Sequence, residues 1–308
     1  MAFTLAHLSD LHVTPIRVRS FLDLANKRAL GWLSWRRRRR HEHRAEILEA
    51  LLDDLEDVAP DHVAVTGDLT NVGLPEEISG AVPWLERLGG PSRVSIVPGN
   101  HDAYASRAGP EQLSPWAPYL ADSVADSGVA YAGELAAGAG PRFPYVRRVG
   151  PVALIGLCSA VPTAPGLATG RLGHDQLERL ELLLSELGGA ACCRVVLVHH
   201  PPVPAGQSRR RRLSDASALR GVLARSGAEL VLHGHTHRTS FERVEGPERS
   251  IPVIGVPSSS ARGREPERRA RYHVYRVEPR GDGFALACEV RRLDGERGRF
   301  VAGQEHAL

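Results

Sequence analysis

The chain has 308 residues, of which 42% are hydrophobic, and its formal net charge is +3. This length allows one large domain with a full core, and the modest charge excludes the strongly basic composition typical of nucleic-acid-binding proteins. The sequence contains no uninterrupted run of about 18 apolar residues, so it predicts no transmembrane helix. The four cysteines show no CxxC spacing, which favours a reducing compartment, and we expect a cytoplasmic protein.

Seven short apolar segments predict β-strands, and most of them end in a polar cluster. In chain order they are FTLAHLSD, HVAVTGD, RVSIVPGN, VALIGLC, RVVLVHH, ELVLHGH and IPVIGVP. Between them, AEILEALLDDLED and DQLERLELLLSEL place leucines at helical spacing. This alternation favours an α/β fold, and we expect a single domain over residues 1–308.

Two segments depart from this alternation. Residues 14–44 form an insertion rich in leucine and tryptophan that ends in the run RRRRRHEHR. Residues 272–293 contain two alternating segments around the turn-rich RGDG, which predict a C-terminal β-hairpin. A second arginine run, QSRRRR, follows the proline-rich HHPPVP.

The insertion at 14–44 has two interpretations. Its helices could pack on the domain as a lid, with the arginines facing solvent. Trp32 and Trp35 beside leucines and arginines are also typical of a helix at an anionic membrane surface, where each basic residue adds about 1 kcal/mol of attraction. On the second interpretation the protein would be peripheral to the inner face of the membrane.

Five polar clusters follow predicted strands and carry the chemistry of the chain. They are Asp10-x-His12, Asp68, Asn100-His101-Asp102, His199-His200 and His235-x-His237. Loops at strand ends meet at one edge of a sheet, so these donors would converge there. Taken singly, such residues are more often helix caps or turn residues. Together they form an oxygen and nitrogen donor set that suits Mn, Fe or Zn and exceeds the needs of one ion, which predicts a two-metal site.

The ordered motifs D-x-H, G-D, G-N-H-D, H-x-P and G-H-x-H, from Asp10 to His237, resemble those of the calcineurin-like metallophosphoesterase family. The resemblance implies a four-layer αββα sandwich of two mixed β-sheets flanked by helices, with a dinuclear metal centre at the strand ends. It also implies a ligand set in which one ion is held by Asp10, His12 and His237, the other by Asn100, His199 and His235, with Asp68 bridging. His200 and His233 fall outside the ligand motifs.

The same resemblance implies a mechanism. Two divalent ions would position a bridging hydroxide for in-line attack on phosphorus. His101 would contact the phosphate and protonate the departing oxygen, and Asp102 would orient the His101 ring.

The motifs HHPP, GNHD, GHTH and GVPSSS resemble those of the class III cyclic nucleotide phosphodiesterase and glycerophosphodiesterase branch. They predict hydrolysis of a small phosphodiester of one of these types. Two alternatives stay open. One is a lipid-linked phosphoester such as UDP-diacylglucosamine, although enzymes acting on it typically have arginine where this chain has His101. The other is a non-catalytic metal-binding scaffold, although such proteins tend to lose ligands that this chain retains.

Overall fold

The computed structural model describes residues 2–18, 21–24, 27–104, 112–120, 142–188, 191–204, 206–281 and 283–308. The strands in these ranges are β1 (Phe3–Leu8), β2 (His62–Val65), β3 (Val94–Ile96), β4 (Tyr145–Val149), β5 (Val152–Gly156), β6 (Cys193–Val198), β7 (Leu230–His233), β8 (Ser240–Val244), β9 (Ile251–Gly255), β10 (Arg271–Arg280), β11 (Gly283–Asp294) and β12 (Arg299–Ala307). The α-helices are α1 (Arg28–Ser34), α2 (Arg40–Glu42), α3 (Ala45–Val58), α4 (Pro75–Leu88), α5 (His174–Gly188) and α6 (Ala216–Ser226). The seven predicted strands correspond to β1, β2, β3, β5, β6, β7 and β9.

The described strands form two six-stranded mixed sheets. Their orders are β12-β11-β10-β1-β2-β3 and β4-β5-β6-β7-β9-β8. In the first sheet β1, β2 and β3 are parallel, and in the second β5, β6, β7 and β9 are parallel. The carboxyl ends of parallel strands lie at one edge of a sheet, which is where ligands bind in such folds.

Alternate residues of the second sheet face different cores. In β6, Val195 and Leu197 pack in the cluster shared with the first sheet, whereas Val196 and Val198 pack in the cluster formed with α5 and α6. Burial on both faces explains why this strand is apolar throughout. Leucines of α3 and α4 join the shared cluster from the other side. Two mixed sheets flanked by helices confirm the predicted fold class.

The C-terminal strands extend the first sheet. Residues 272–293, predicted as a β-hairpin, lie in β10 and β11, which pair antiparallel. β10 also pairs antiparallel with β1, so it joins this segment to the parallel strands. β12, for which the sequence predicted no element, pairs with β11 as the edge strand.

The insertion at 14–44 is helical over much of its described length, and its residues 19–20 and 25–26 lie outside the described ranges. A 3₁₀ turn at Phe21–Leu24 precedes α1, and a π-helical turn at Trp35–Arg39 joins α1 to α2. Trp32 and Trp35 pack against a small cluster that contains Ile16, Val72, Leu74 and Tyr104. Among the described helices, none is both long and apolar enough to cross a membrane.

Candidate metal centre and active site

Five of the predicted ligand residues share an unusual backbone conformation at the ends of their strands. Their φ angles lie between 45° and 66°, at Asp10, His12, Asp68, His235 and His237. Residues other than glycine are rare in this left-handed region, and each costs about 1–3 kcal/mol of strain. Such strain persists where the surrounding structure holds a side chain in a required direction. Here these residues lie at one edge where the two sheets meet.

Asp10, His12 and His237 form the first group of candidate ligands, with one donor atom of each within 4.8 Å of the others. Asp10 Oδ2 accepts hydrogen bonds from Ser9 Oγ at 2.7 Å and from the His235 backbone nitrogen at 3.1 Å. Asp10 Oδ1 is buried and accepts no hydrogen bond, although His237 Nε2 lies 3.1 Å away. This carboxylate oxygen is therefore open to a cation.

Asp10, Asp68 and His199 form the second group, within the same limit of 4.8 Å. His199 Nδ1 lies 2.6 Å from the Thr66 carbonyl, which can only accept, so Nδ1 carries the proton. Its Nε2 is left as the atom that can bind a metal, and it lies 3.4 Å from Asp68 Oδ2 and 3.2 Å from Asn100 Oδ1. The sequence resemblance gave the bridging position to Asp68, whereas in the geometry Asp10 belongs to both groups and Asp68 to the second.

Backbone carbonyls orient the rings of His12 and His235 in the same way. His12 Nδ1 lies 2.6 Å from the Thr70 carbonyl, and His235 Nε2 lies 2.8 Å from the Arg211 carbonyl. Each carbonyl fixes one nitrogen as a donor and frees the other, a common arrangement for histidines that bind metals. The His235 ring is centred 5.0 Å from that of His199. The structure thus brings all seven predicted ligands together.

Burial and neighbouring charges determine which side chains of this site carry a proton. Burial opposes the ionisation of Asp68, but His199 and then His101 hold the pKa of the carboxyl well below its usual range. Burial alone would lower the pKa of His199, but the Asp68 carboxylate raises it to about 9. Burial lowers the pKa of His12 to about 4, so this ring is neutral near pH 7. Ionised carboxylates, imidazoles and an amide oxygen fit two divalent cations.

His101 lies beside the ligands. Its Nδ1 is 2.5 Å from the Asn71 carbonyl, which fixes the proton on that nitrogen. Its ring is centred 5.1 Å from that of His12 and stacks on Tyr104 at 5.3 Å. Burial, and then the Arg39 guanidinium, hold the pKa of His101 well below its ordinary value.

The prediction that Asp102 orients the His101 ring is wrong. The Asp102 carboxylate accepts hydrogen bonds from the backbone nitrogens of Asp68, Thr70 and Gly99 and from the Thr70 hydroxyl, all at 2.8–2.9 Å. None of its described bonds goes to His101. Asp102 instead joins the loop after β2 to the loop after β3, and thereby positions Asp68. Burial, and then the Asp68 carboxylate, raise the pKa of Asp102 to about 7.

His200 and His233, which the motifs place outside the ligand set, each contact a backbone carbonyl. His200 Nδ1 contacts Ser159 Oγ at 2.8 Å, and its Nε2 lies 3.2 Å from the Ala168 carbonyl. His233 Nδ1 lies 3.0 Å from the Gly234 carbonyl. Neither histidine belongs to a group of candidate ligands among the described residues.

Arg39 is a site residue that the sequence did not single out. Its Nη1 lies 3.0 Å from His101 Nδ1, and it lines a cleft of about 720 Å³ together with His12, Asp68 and Asn100. The run of five arginines was visible in the sequence, but no pattern within the run tells which one enters the site.

Contacts made by the residues after Arg39 fix its position. The His43 ring is centred 4.4 Å from that of His12, and its Nδ1 lies 2.8 Å from Ser260 Oγ. His43 also forms an isolated β-bridge with Ala261. The insertion at 14–44 is thus fastened to the loop after β9 and forms one wall of the cleft.

Comparisons with known proteins agree with this geometry. The family model described as calcineurin-like phosphoesterase matches residues 3–239. A probable cyclic nucleotide phosphodiesterase of a Synechococcus strain is 26% identical over 238 residues, covering 75% of this chain and 78% of that protein. A second Synechococcus protein with the same description is 34% identical over 97 residues, which cover 30% of this chain and 36% of that protein.

Solved structures show the same fold. A dimetal phosphatase from Danio rerio superposes with a TM-score of 0.59 at 13% identity, covering 97% of this chain and 98% of that one. A purple acid phosphatase from yellow lupin (Lupinus luteus) seeds gives a TM-score of 0.56 at 13% identity, covering 100% of this chain and 53% of the lupin chain. At these identities the likeness concerns the fold.

Proposed function

Since the chain belongs to the calcineurin-like phosphoesterase family, we propose that it hydrolyses a small phosphodiester of the cyclic nucleotide or glycerophosphodiester type at a dinuclear metal centre. The observation that carries the proposal is the buried Asp10 carboxylate, which belongs to both ligand groups and whose Oδ1 faces only the His237 ring, 3.1 Å away. A buried carboxylate beside a second carboxylate and several imidazoles is suited to bind cations. The likeness to proteins described as cyclic nucleotide phosphodiesterases supports the substrate type.

The chemistry that two divalent cations supply here when bound is activation of water near neutral pH and neutralisation of phosphoryl charge. The donor set accepts Mn, Fe or Zn. In this proposal Asp10, His12 and His237 hold one cation, while Asn100, His199 and His235 hold the other and Asp68 lies between them.

His101 and Arg39 act on the phosphate itself. The Arg39 guanidinium lies in the cleft and can donate hydrogen bonds to phosphoryl oxygens. His101 carries a proton on Nδ1, fixed by the Asn71 carbonyl, so its Nε2 is the atom that exchanges a proton with the substrate. An anionic phosphoryl group in the cleft raises the pKa of His101 against the effects of burial and Arg39. The protonated Nε2 then gives its proton to the departing oxygen.

The position of the insertion at 14–44 supports a role as a wall of the cleft. Trp32 and Trp35 are half-buried against a cluster that contains Ile16, Val72 and Leu74, so part of each ring packs on the domain. A substrate small enough for a cleft of about 720 Å³ is consistent with this arrangement.

The direct test is hydrolysis of bis-p-nitrophenyl phosphate by metal-free protein supplied in turn with Mn²⁺, Zn²⁺ and Fe²⁺, with p-nitrophenyl phosphate as the monoester control. We expect metal-dependent turnover, faster on the diester, that is lost when a chelator is added. Cyclic AMP and glycerophosphodiesters follow as natural candidates. Turnover of neither chromogenic ester with any of the metals would overturn the proposal in favour of a metal-binding scaffold, and preference for the monoester would overturn the diester assignment.

A further inference from the structure

A second cleft opens beside the candidate metal centre. Its volume is about 1390 Å³, and its walls share Arg38, Glu42 and Arg264 with the cleft of about 720 Å³. The two clefts are therefore adjacent, with these three side chains between them. A single molecule with its scissile bond at the metal centre can therefore extend into the larger cleft.

Arginines dominate the walls of this second cleft. Three come from the insertion and three from the segment between β9 and β10, namely Arg37, Arg38, Arg44, Arg262, Arg264 and Arg269. Among the residues that the structure describes, Arg44 is the one of these six that forms an ion pair with a carboxylate.

The acidic residues of the same walls are engaged elsewhere. Glu46 pairs with Arg44 at 3.3 Å. Glu42 accepts a hydrogen bond from the backbone nitrogen of Gly263 at 3.0 Å, and its own carbonyl accepts one from the nitrogen of Arg262. Glu42 therefore fastens the two walls together, and with six arginines against two glutamates the walls of the cleft carry an excess of positive charge.

This concentration of charge does not follow from the composition of the chain, whose formal net charge is only +3. A concave surface lined by one sign of charge focuses its field on whatever enters. Guanidinium groups match the geometry of phosphate oxygens and form paired hydrogen bonds with them. The ligand that compensates these charges is an anion, and phosphate is the group best suited to arginine.

We infer that this second cleft binds another phosphate group of the substrate, so that the preferred substrates are phosphodiesters with at least one phosphate besides the scissile one. A short oligonucleotide or a nucleotide with an additional phosphate has this character, whereas a cyclic mononucleotide carries a single phosphate. Ile47 and Leu293 give the cleft an apolar portion against which a base or sugar can pack. This inference rests on the proposed phosphodiesterase function and, among phosphodiesters, favours those with a further phosphate over the cyclic mononucleotides and glycerophosphodiesters named above.

A matched pair of chromogenic substrates tests it. Thymidine 5′-(p-nitrophenyl phosphate) and its 3′-phosphate derivative share the same scissile ester and differ by one phosphate. We expect the Mn²⁺-loaded protein to show a kcat/KM at least about tenfold higher for the 3′-phosphorylated substrate, the ratio to which about 1.4 kcal/mol of binding corresponds. Equal kcat/KM values would overturn the inference, while turnover of bis-p-nitrophenyl phosphate would still support the proposed function.

Two double variants test whether the arginines of the second cleft cause the difference in kcat/KM between the two substrates. Replacing Arg262 and Arg269 by glutamine (R262Q/R269Q) is expected to bring the ratio of the two kcat/KM values close to one. The control, R280Q/R299Q, removes the same charge from exposed positions on β10 and β12 and is expected to leave the ratio unchanged. An equal loss on both substrates in R262Q/R269Q would assign these arginines a structural role and contradict the inference.

The phosphate bound in the second cleft could also belong to a lipid headgroup. Binding to vesicles distinguishes this possibility from a phosphate of the substrate. Co-sedimentation with vesicles of equal parts phosphatidylcholine and phosphatidylglycerol is measured for the unmodified protein and for R262Q/R269Q. We expect no difference between the two proteins. Vesicle binding that R262Q/R269Q loses, together with a substrate ratio of one, would assign the cleft to membrane headgroups and overturn the inference.

Discussion

Two buried carboxylates of this protein have opposite surroundings. Asp54 on α3 accepts two hydrogen bonds from the Arg291 guanidinium, both at 2.7 Å, and one from the Tyr272 hydroxyl at 2.5 Å. Asp10 after β1 is buried too, but its Oδ1 faces only the His237 ring, 3.1 Å away, and Asp68 lies close to it. A carboxylate that accepts several hydrogen bonds from the chain stabilises the fold, whereas one beside a second carboxylate and an imidazole is suited to bind a cation.

The backbone differs in the same way. Asp54 lies within a regular helix, whereas Asp10 and Asp68 have φ angles of 52° and 56°. Backbone strain is thus concentrated where the chain leaves its polar groups open. The contrast predicts that changes around Asp54 affect stability and that changes around Asp10 and Asp68 affect activity.

The largest effect is expected for Asp68→Asn. This change removes a charge from both cation sites but keeps the shape of the side chain, so we expect bound metal and metal-dependent turnover to be lost while the fold persists. Metal content by mass spectrometry, turnover of bis-p-nitrophenyl phosphate and the thermal unfolding midpoint check this together. Retained turnover in Asp68→Asn, or unfolding of the variant, would contradict the assignment.

A smaller effect is expected for His101→Ala. Loss of general acid catalysis lowers kcat by about 10²–10⁴-fold, and the metal content should stay near that of the unmodified protein because His101 is not a ligand. His174→Ala, at an exposed histidine of α5, serves as the control and should change neither quantity. If His101→Ala loses a metal ion, then His101 has been misassigned.

For Asp54 the expected effect is on the stability of the fold. Asp54→Ala leaves Arg291 and the Tyr272 hydroxyl without this partner, and it should lower the free energy of unfolding by about 3 kcal/mol. This is the lower end of the range for breaking a buried pair, because Arg291 also contacts Glu289 at 2.8 Å. Denaturant unfolding of the metal-free protein measures this loss of unfolding free energy. Glu49→Ala, on the same helix as Asp54, removes an exposed ion pair with Arg87 and should lower the free energy of unfolding much less than Asp54→Ala does. Equal losses of unfolding free energy in Asp54→Ala and Glu49→Ala would contradict the stabilising role given to Asp54.

The smallest effect concerns pH. The Asp68 carboxylate raises the pKa of His199 to about 9 against the effect of burial, so this ring is protonated at pH 7 in the metal-free protein. Only the neutral ring binds a cation, so the ion that His199 holds displaces a proton from this ring. We expect Mn²⁺ affinity to rise by at most about tenfold per pH unit between about pH 6 and pH 8. Calorimetric titration measures this, and an affinity that does not change with pH would contradict it.

The fold was predictable from the sequence because local patterns determine most of it. Each of the seven apolar segments became a strand, and the leucine spacing of AEILEALLDDLED became α3. The edge strand β12 was not predicted. Its residues are largely exposed, so burial imposed no alternating pattern on them.

The candidate site was predictable in its ligands and less so in its surroundings. Asp10, Asp68 and His199 occupy strand ends that the motifs mark, and parallel strands bring such ends together. The partners of Asp102 and the entry of Arg39 into the cleft depend on contacts between segments far apart in sequence. No local pattern encodes those contacts, which is why the role given to Asp102 was wrong.

The most direct test of the central claim is a titration of metal-free protein with Mn²⁺, followed by both metal binding and turnover of bis-p-nitrophenyl phosphate. If Asp68 lies between two cation sites, as proposed, two equivalents bind per chain and turnover appears as the second site fills. Saturation of turnover at a single equivalent, or binding of two equivalents without any turnover, would contradict a dinuclear phosphodiesterase centre.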